Sequence, residues 1–208
     1  VETPDSRRTA PNPQDIESNA LLARLVFEPS DRHRLHLTGD YSERSVATEA
    51  LSGRAVLPPD GPALAAGSVI DLDGLDESER SRVTLDYTFT NAGGLIDSAF
   101  VAVYTQTSWL RQFSDEDRNT SADRTRDTTY DNDVVGVTAQ AESVFPAGWG
   151  EHRLVYGVDY SVTTQGAIRD GTVPTPPAVF PERPFPETEY TRTGVFLVQV
   201  PKSFTPEQ

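Results

Sequence analysis

The side chains most able to do chemistry in this sequence are three histidines and a run of carboxylates. His33, His36 and His152 are the only imidazoles, and an imidazole is the usual choice for metal ligation or proton transfer near neutral pH. Their spacing fits no ligand set. His33 and His152 stand beside turn-like segments, while His36 falls on the polar side of an alternating run, so each reads as a solvent-facing histidine. The acidic run Asp115-Glu116-Asp117, Asp123, Asp127, Asp131, Asn132 and Asp133 offers the oxygen ligands that calcium takes. It lacks the fixed spacing of an EF-hand loop and reads as a solvated loop. No apolar pocket is evident that would raise one carboxyl of a pair into a general acid. There is no Gly-x-Ser-x-Gly elbow, and Gly93-Gly94 lacks the context of a phosphate loop and reads as a turn. Cysteine is absent, which rules out disulfides and Cys-based zinc sites. Asn119-Thr120-Ser121 matches a glycosylation sequon at chance frequency. The expectation is therefore no catalytic residues, no metal ligands, no resident cofactor and no enzyme, with any cofactor-binding residues unassigned.

What these side chains would be mounted on follows from the bulk numbers and the patterning. The 208 residues are enough for one domain with a sizeable core. Only 36% are hydrophobic, and 32 acidic against 18 basic side chains give a formal charge of −14. That balance argues against nucleic-acid binding, which needs a basic footprint. Low hydrophobicity with high net charge is also a mark of disorder, but the strongly patterned segments oppose it. The start, VETPDSRRTAPNPQD, has neither the basic nor the apolar region of a signal peptide. The longest charge-free run, Ser98 to Leu110, is too short and polar for a membrane-crossing helix. If the chain crosses a membrane it must do so as a barrel.

Seven segments alternate with period two and are rich in Thr, Val, Tyr and Phe. They cover roughly 17–28, 33–48, 80–90, 96–113, 131–144, 151–168 and 188–199. Leu21, Ala23, Leu25 and Phe27 share one side of the first, with Arg24 and Glu28 opposite. Leu35, Leu37, Gly39 and Tyr41 oppose Arg34, His36, Thr38, Asp40 and Ser42 in the second. Val83, Leu85, Tyr87 and Phe89 oppose Arg82, Thr84, Asp86 and Thr88 in the third. Val135, Val137, Ala139 and Ala141 oppose Thr138, Gln140 and Glu142 in the fifth. Leu154, Tyr156, Val158 and Tyr160 oppose Arg153, Asp159 and Ser161 in the sixth. The fourth and seventh leave their facing open.

A soluble sheet with one buried face would alternate in the same way, so the connections carry more information. Pro29–Arg32, Asn91–Gly94 and Pro146–Gly150 have compact turn chemistry, whereas the intervening connections, about 49–79, 114–130 and 169–187, are long. Short turns at one end and long loops at the other describe an outer-membrane barrel. Several segments exceed the five or six residues usual for soluble strands. Aromatics near the turns (Phe27, Phe89, Phe145, Trp149) and farther up (Tyr41, Tyr160) suit two interface girdles. The expected fold is an all-β, antiparallel up-and-down meander of about seven long strands.

Three stretches resemble a known family. The segment from Asn19 to Leu35, with Leu21-Leu22-Ala23-Arg24-Leu25, Pro29 and His33-Arg34-Leu35, resembles an early barrel hairpin of TonB-dependent receptors. Arg82-Val83-Thr84-Leu85-Asp86-Tyr87 resembles the next hairpin in the haemoglobin, transferrin and lactoferrin receptor family. Arg169–Thr172, Pro174–Pro177, Phe180-Pro181, Arg183–Pro186, Tyr190 and Gly194–Leu197 are similar to a Pro-rich loop and returning strand of its haem-uptake members. The resemblance spans most of 17–199. It implies part of a 22-stranded barrel in the outer membrane of a Gram-negative bacterium, transporting haem or haemoglobin-derived iron. Arg24, Arg34, Arg82, Arg153, Asp40, Asp86 and Asp159 would then line a hydrated lumen. Implied partners are TonB, reached through a plug domain that this sequence lacks, a haem or haemoglobin-like host protein at the loops, and outer-membrane lipid. Family haem ligands sit in the plug and in later loops, so none maps onto the three histidines. On this reading residues 1–16 end an extracellular loop, 17–199 form a partial barrel, and 200–208 are an atypical tail of the kind left by truncation or frameshift. A receptor for a siderophore or another nutrient, and a soluble antiparallel ligand-binding sheet, are the competing readings.

Overall fold

A computed structural model describes residues 11–56, 62–91, 95–147 and 150–203. Seven strands follow one another: β1 (Gln14–Ser30), β2 (His33–Glu49), β3 (Val69–Thr90), β4 (Ser98–Arg118), β5 (Arg124–Ala147), β6 (Gly150–Gly171) and β7 (Thr188–Ser203). They form one sheet in sequence order, each antiparallel to its neighbours. The up-and-down meander expected from the turns is therefore the fold. Because each connection reverses the chain, 31–32, 91–97 and 148–149 join strands at one end of the sheet. Residues 50–68, 119–123 and 172–187 join them at the other.

The strands run farther than their alternation suggested. β3 begins at Val69 rather than near 80, β4 reaches Arg118, and β5 starts at Arg124. The connection expected over 114–130 shrinks to 119–123. Asp115, Glu116, Asp117, Asp127, Asp131 and Asp133 are ladder residues, not members of a solvated loop. Charged side chains hold these extensions together. Arg111 on β4 donates to both carboxylate oxygens of Asp127 on β5 (2.9 and 2.7 Å) and to Glu77 on β3 (3.1 Å). Arg124 grips Glu116 through two donors, at 2.8 and 2.6 Å. Bidentate arginine–carboxylate pairs are among the stronger polar links available at a surface. Polar sequence lacks apolar alternation, so it reads as loop even where cross-strand pairing makes it strand. At the other end, β1 continues to Ser30, leaving Asp31 and Arg32 as the turn, with a bulge between Phe27 and Ser30. Asn91 bonds to Asp97 across the β3–β4 connection, which is longer than four residues. Residues 92–94 and 148–149, within the other two expected turns, lie outside the described residues, as does Pro59.

Two strand glycines let aromatic rings lie flat on the sheet. The Tyr104 ring covers Gly136, where an added Cβ would be 2.5 Å from its hydroxyl. Phe196 covers Gly157, where a Cβ would also sit 2.6 Å from the Ala139 carbonyl oxygen. Glycine at such positions admits close approach and bending of the sheet.

No second layer of strands or helices packs on the sheet among the described residues. Among the described residues the buried apolar side chains are Ala102 and Ala167 alone. A soluble domain of this length would bury a core between two layers.

Candidate functional site

Directly opposed residues of an antiparallel pair share a face, so the register sorts every side chain. Phe27, Leu35, Tyr87, Val101, Ala139, Val158 and Val195 form an unbroken apolar row across all seven strands. Leu25, Leu37, Leu85, Val103, Val137 and Tyr160 form the next. Leu154, Tyr156 and Leu197 extend this apolar face toward the turn end, and Val83, Val135 and Val162 toward the loop end. Arg34, His36, Asp86, Thr138, Gln140 and Asp159 all fall on the opposite, polar face. The two sets do not mix, and β4 and β7, whose facing the sequence left open, place Val101, Val103, Val195 and Leu197 with the apolar set. The apolar side chains are uncovered: Leu25 is 67% exposed, Leu197 70% and Val195 79%.

Above this band, toward the loop end, charge segregates by face. The apolar face becomes acidic, with Glu17, Glu43, Glu79, Asp73, Asp115, Asp131 and Asp133 among its side chains. On this face the strands carry one basic side chain there, Arg111. Asp117, at the far end of β4 and well beyond the band, has its carboxyl pKa raised by burial and by the charges of Asp123 and Asp115. The polar face instead carries the arginines: Arg44, Arg80, Arg82, Arg118, Arg124, Arg126 and Arg169 at this level, with Arg24 and Arg192 lower, beside the band. Its carboxylates at this level are fewer. Asp40 is held by Arg80 at 2.6 Å, Glu116 by Arg124, and Asp76 stands between.

The polar face also holds a hollow of about 670 Å³. Its floor is two neighbouring rows: Ala20, Ser42, Arg80, Ser108 and Asn132, then Ser18, Arg44, Ser78, Leu110 and Tyr130. Residues 172–187 fold over the same face beside it. Glu182 exchanges two 2.8 Å backbone hydrogen bonds with Arg169, and their side chains pair at 3.2 Å. Arg126 donates to the Thr172 carbonyl at 2.6 Å and lies 5.2 Å from the Phe180 ring centre. Phe185 stacks on Tyr130 with ring centres 6.5 Å apart.

The three histidines are not brought together. His33 on the apolar face bonds Tyr87 Oη at 2.7 Å and packs on Phe89. His152, on the same face, is 5% exposed, stacks on Phe145 at 5.7 Å and bonds the Gln199 side chain. His36, on the polar face, accepts from Arg24 through Nδ1 at 2.5 Å. Among the described residues no three His, Asp or Glu converge in a metal-binding arrangement. Asn119 of the sequon clasps two connections, its amide donating to Leu64 O at 3.0 Å while its backbone N–H donates to Ser68 O. The sequence reading missed the hollow, since Ser18, Ser42, Ser78 and Ser108 are distant in the chain and meet only through register.

The class these observations define is a single-layer, all-β antiparallel sheet with one uncovered apolar face, compatible with a β-barrel wall. No family model matches the chain, and no curated protein sequence matches it.

Proposed function

We propose that this chain is a wall segment of a TonB-dependent outer-membrane transporter for haem or haemoglobin-derived iron, part of a 22-stranded barrel. The observation that carries the membrane reading is an apolar row unbroken across all seven strands with a second across β1 to β6, on an uncovered face that turns acidic toward the loop end of β1 to β5. From His33 to Tyr41 on β2, and from Phe145 to Val135 on β5, the band extends about 26–33 Å along the strands at ~3.3 Å per residue. A tilt of about 40° makes that roughly 20–25 Å, close to the apolar height of outer-membrane barrels. Rings stand at both borders: Phe89, Phe145 and Tyr156 near the turns, Tyr41 and Trp109 toward the loops. An uncovered band of this extent in water would drive association. Lipid covers it without a second protein layer.

In this reading the polar face lines the lumen, the short turns are periplasmic, and 50–68, 119–123 and 172–187 face outward to meet a haem-bearing host protein. A plug domain contacts TonB. The haem assignment rests on the sequence resemblance carried by 19–35, 82–87 and 169–197. It is tested by deleting the gene from a strain with no other haem receptor. Growth on haem or haemoglobin as sole iron source should stop while growth on ferric siderophores continues. Loss of siderophore growth alone would replace haem with a siderophore as the cargo.

A further inference from the structure

We propose that the hollow on the polar face binds a small molecule with an anionic end, a carboxylate or phosphate, on an apolar body, and that Arg44 is its charge partner. The hollow's size falls within the range of small-molecule sites, about 300–1,000 Å³. Arg44 borders two adjoining hollows on this face, so it stands where they meet. Its four nearest neighbours on the face are Ser18, Ser42, Val46 and Ser78, none of them charged. Asp76 lies diagonally across and forms no ion pair with it, while Asp40 is taken by Arg80. The Arg44 guanidinium, flanked by three hydroxyls and ion-paired to no carboxylate among the described residues, presents donors and positive charge. That is the chemistry a carboxylate or phosphate needs.

The other end of the hollow differs. Leu110 and Tyr130 close it on β4 and β5, and Phe185 stacks on Tyr130. Three strand spacings separate β2 from β5, about 14 Å. A ligand of roughly that length places its anion at Arg44 and its apolar body against Tyr130. The acidic opposite face disfavours the same ligand there, so the charge segregation directs it to this side.

The test is equilibrium binding to the protein in detergent micelles, with empty micelles as blank. The probes are 4′-fluorobiphenyl-4-carboxylate, the matching biphenyl phosphate and the neutral carboxamide, read by fluorine NMR. Both anions should bind, and the carboxamide about tenfold more weakly or worse. Arg44→Gln should weaken the anions by about tenfold or more and leave the carboxamide unchanged, while Arg44→Lys should retain much of the affinity. Ser78→Phe, which fills the hollow, should abolish binding of all three. Arg192→Gln, on the same face outside the hollow, should change affinity by no more than about twofold. The tighter of the two anions identifies the natural group. Carboxamide binding as tight as the anions, an Arg44→Gln variant that binds normally, or equal damage from Arg192→Gln would each overturn the site. The readout involves neither haem nor transport, so it stands or falls apart from the haem assignment.

Discussion

Asp117 shows how single residues on the acidic face act on stability. Burial and the neighbouring Asp123 and Asp115 raise its pKa in the folded chain above the ordinary carboxylate value. The folded state therefore holds this proton more tightly than the unfolded state. The resulting stabilisation is present below the ordinary carboxyl pKa and is lost as pH rises through the raised one. Asp117→Asn removes the ionisable group, so the variant should be more stable than wild type at neutral pH. That advantage should disappear on acidification, as denaturant titrations at neutral and acidic pH would show. An advantage that persisted at acidic pH would assign the effect to packing rather than charge. The histidines behave differently from what their chemistry offers: His33 and His152 are absorbed into aromatic contacts at the turn end, and His36 into a bond with Arg24.

At the scale of elements, what was legible in the sequence was apolar alternation. Leu35 to Tyr41, Val83 to Phe89 and Val135 to Ala141 announced their strands and faces, and the register bears out each assignment. The ends at the loop side were not legible, because Asp71 to Glu79, Asp115 to Arg118 and Arg124 to Tyr130 carry few apolar side chains to alternate. Their strand character comes from partners remote in sequence, of which Arg111 is the clearest, joining β3, β4 and β5 through Glu77 and Asp127. Arg111→Ala should cost about 1 kcal/mol, the scale of a partly exposed ion-pair network. It should also raise hydrogen exchange in 71–77 and 113–127 while leaving the apolar band protected. Uniform loss of protection along all three strands would show that the distal ladder has no stability of its own. The hollow was illegible for the same reason, being a product of five strands' registers and not of any one segment.

For the whole molecule, the two faces make opposite predictions for the same substitution one residue apart. Leu85→Arg puts a charge in the middle of the apolar band, and at a bilayer midplane this costs about 2–4 kcal/mol. Thr84→Arg puts it on the polar face beside Thr38 and Tyr104, where water solvates it at little cost. Folding titrations in lipid vesicles should separate the two by at least about 2 kcal/mol. Equal costs would mean that lipid does not cover the apolar face. The side on which each end of the sheet emerges is a further consequence, and the sequence is suited to testing it because it contains no native cysteine. Single cysteines at Asp123, in the β4–β5 connection, and at Asp31, in the β1–β2 turn, can be probed with a membrane-impermeant thiol reagent on intact cells. The account predicts labelling of Asp123→Cys on whole cells and of Asp31→Cys only after the outer membrane is permeabilised. Labelling of Asp31→Cys with protection of Asp123→Cys would reverse the orientation, and equal labelling of both, or of neither, on intact cells would contradict a sheet that crosses the outer membrane.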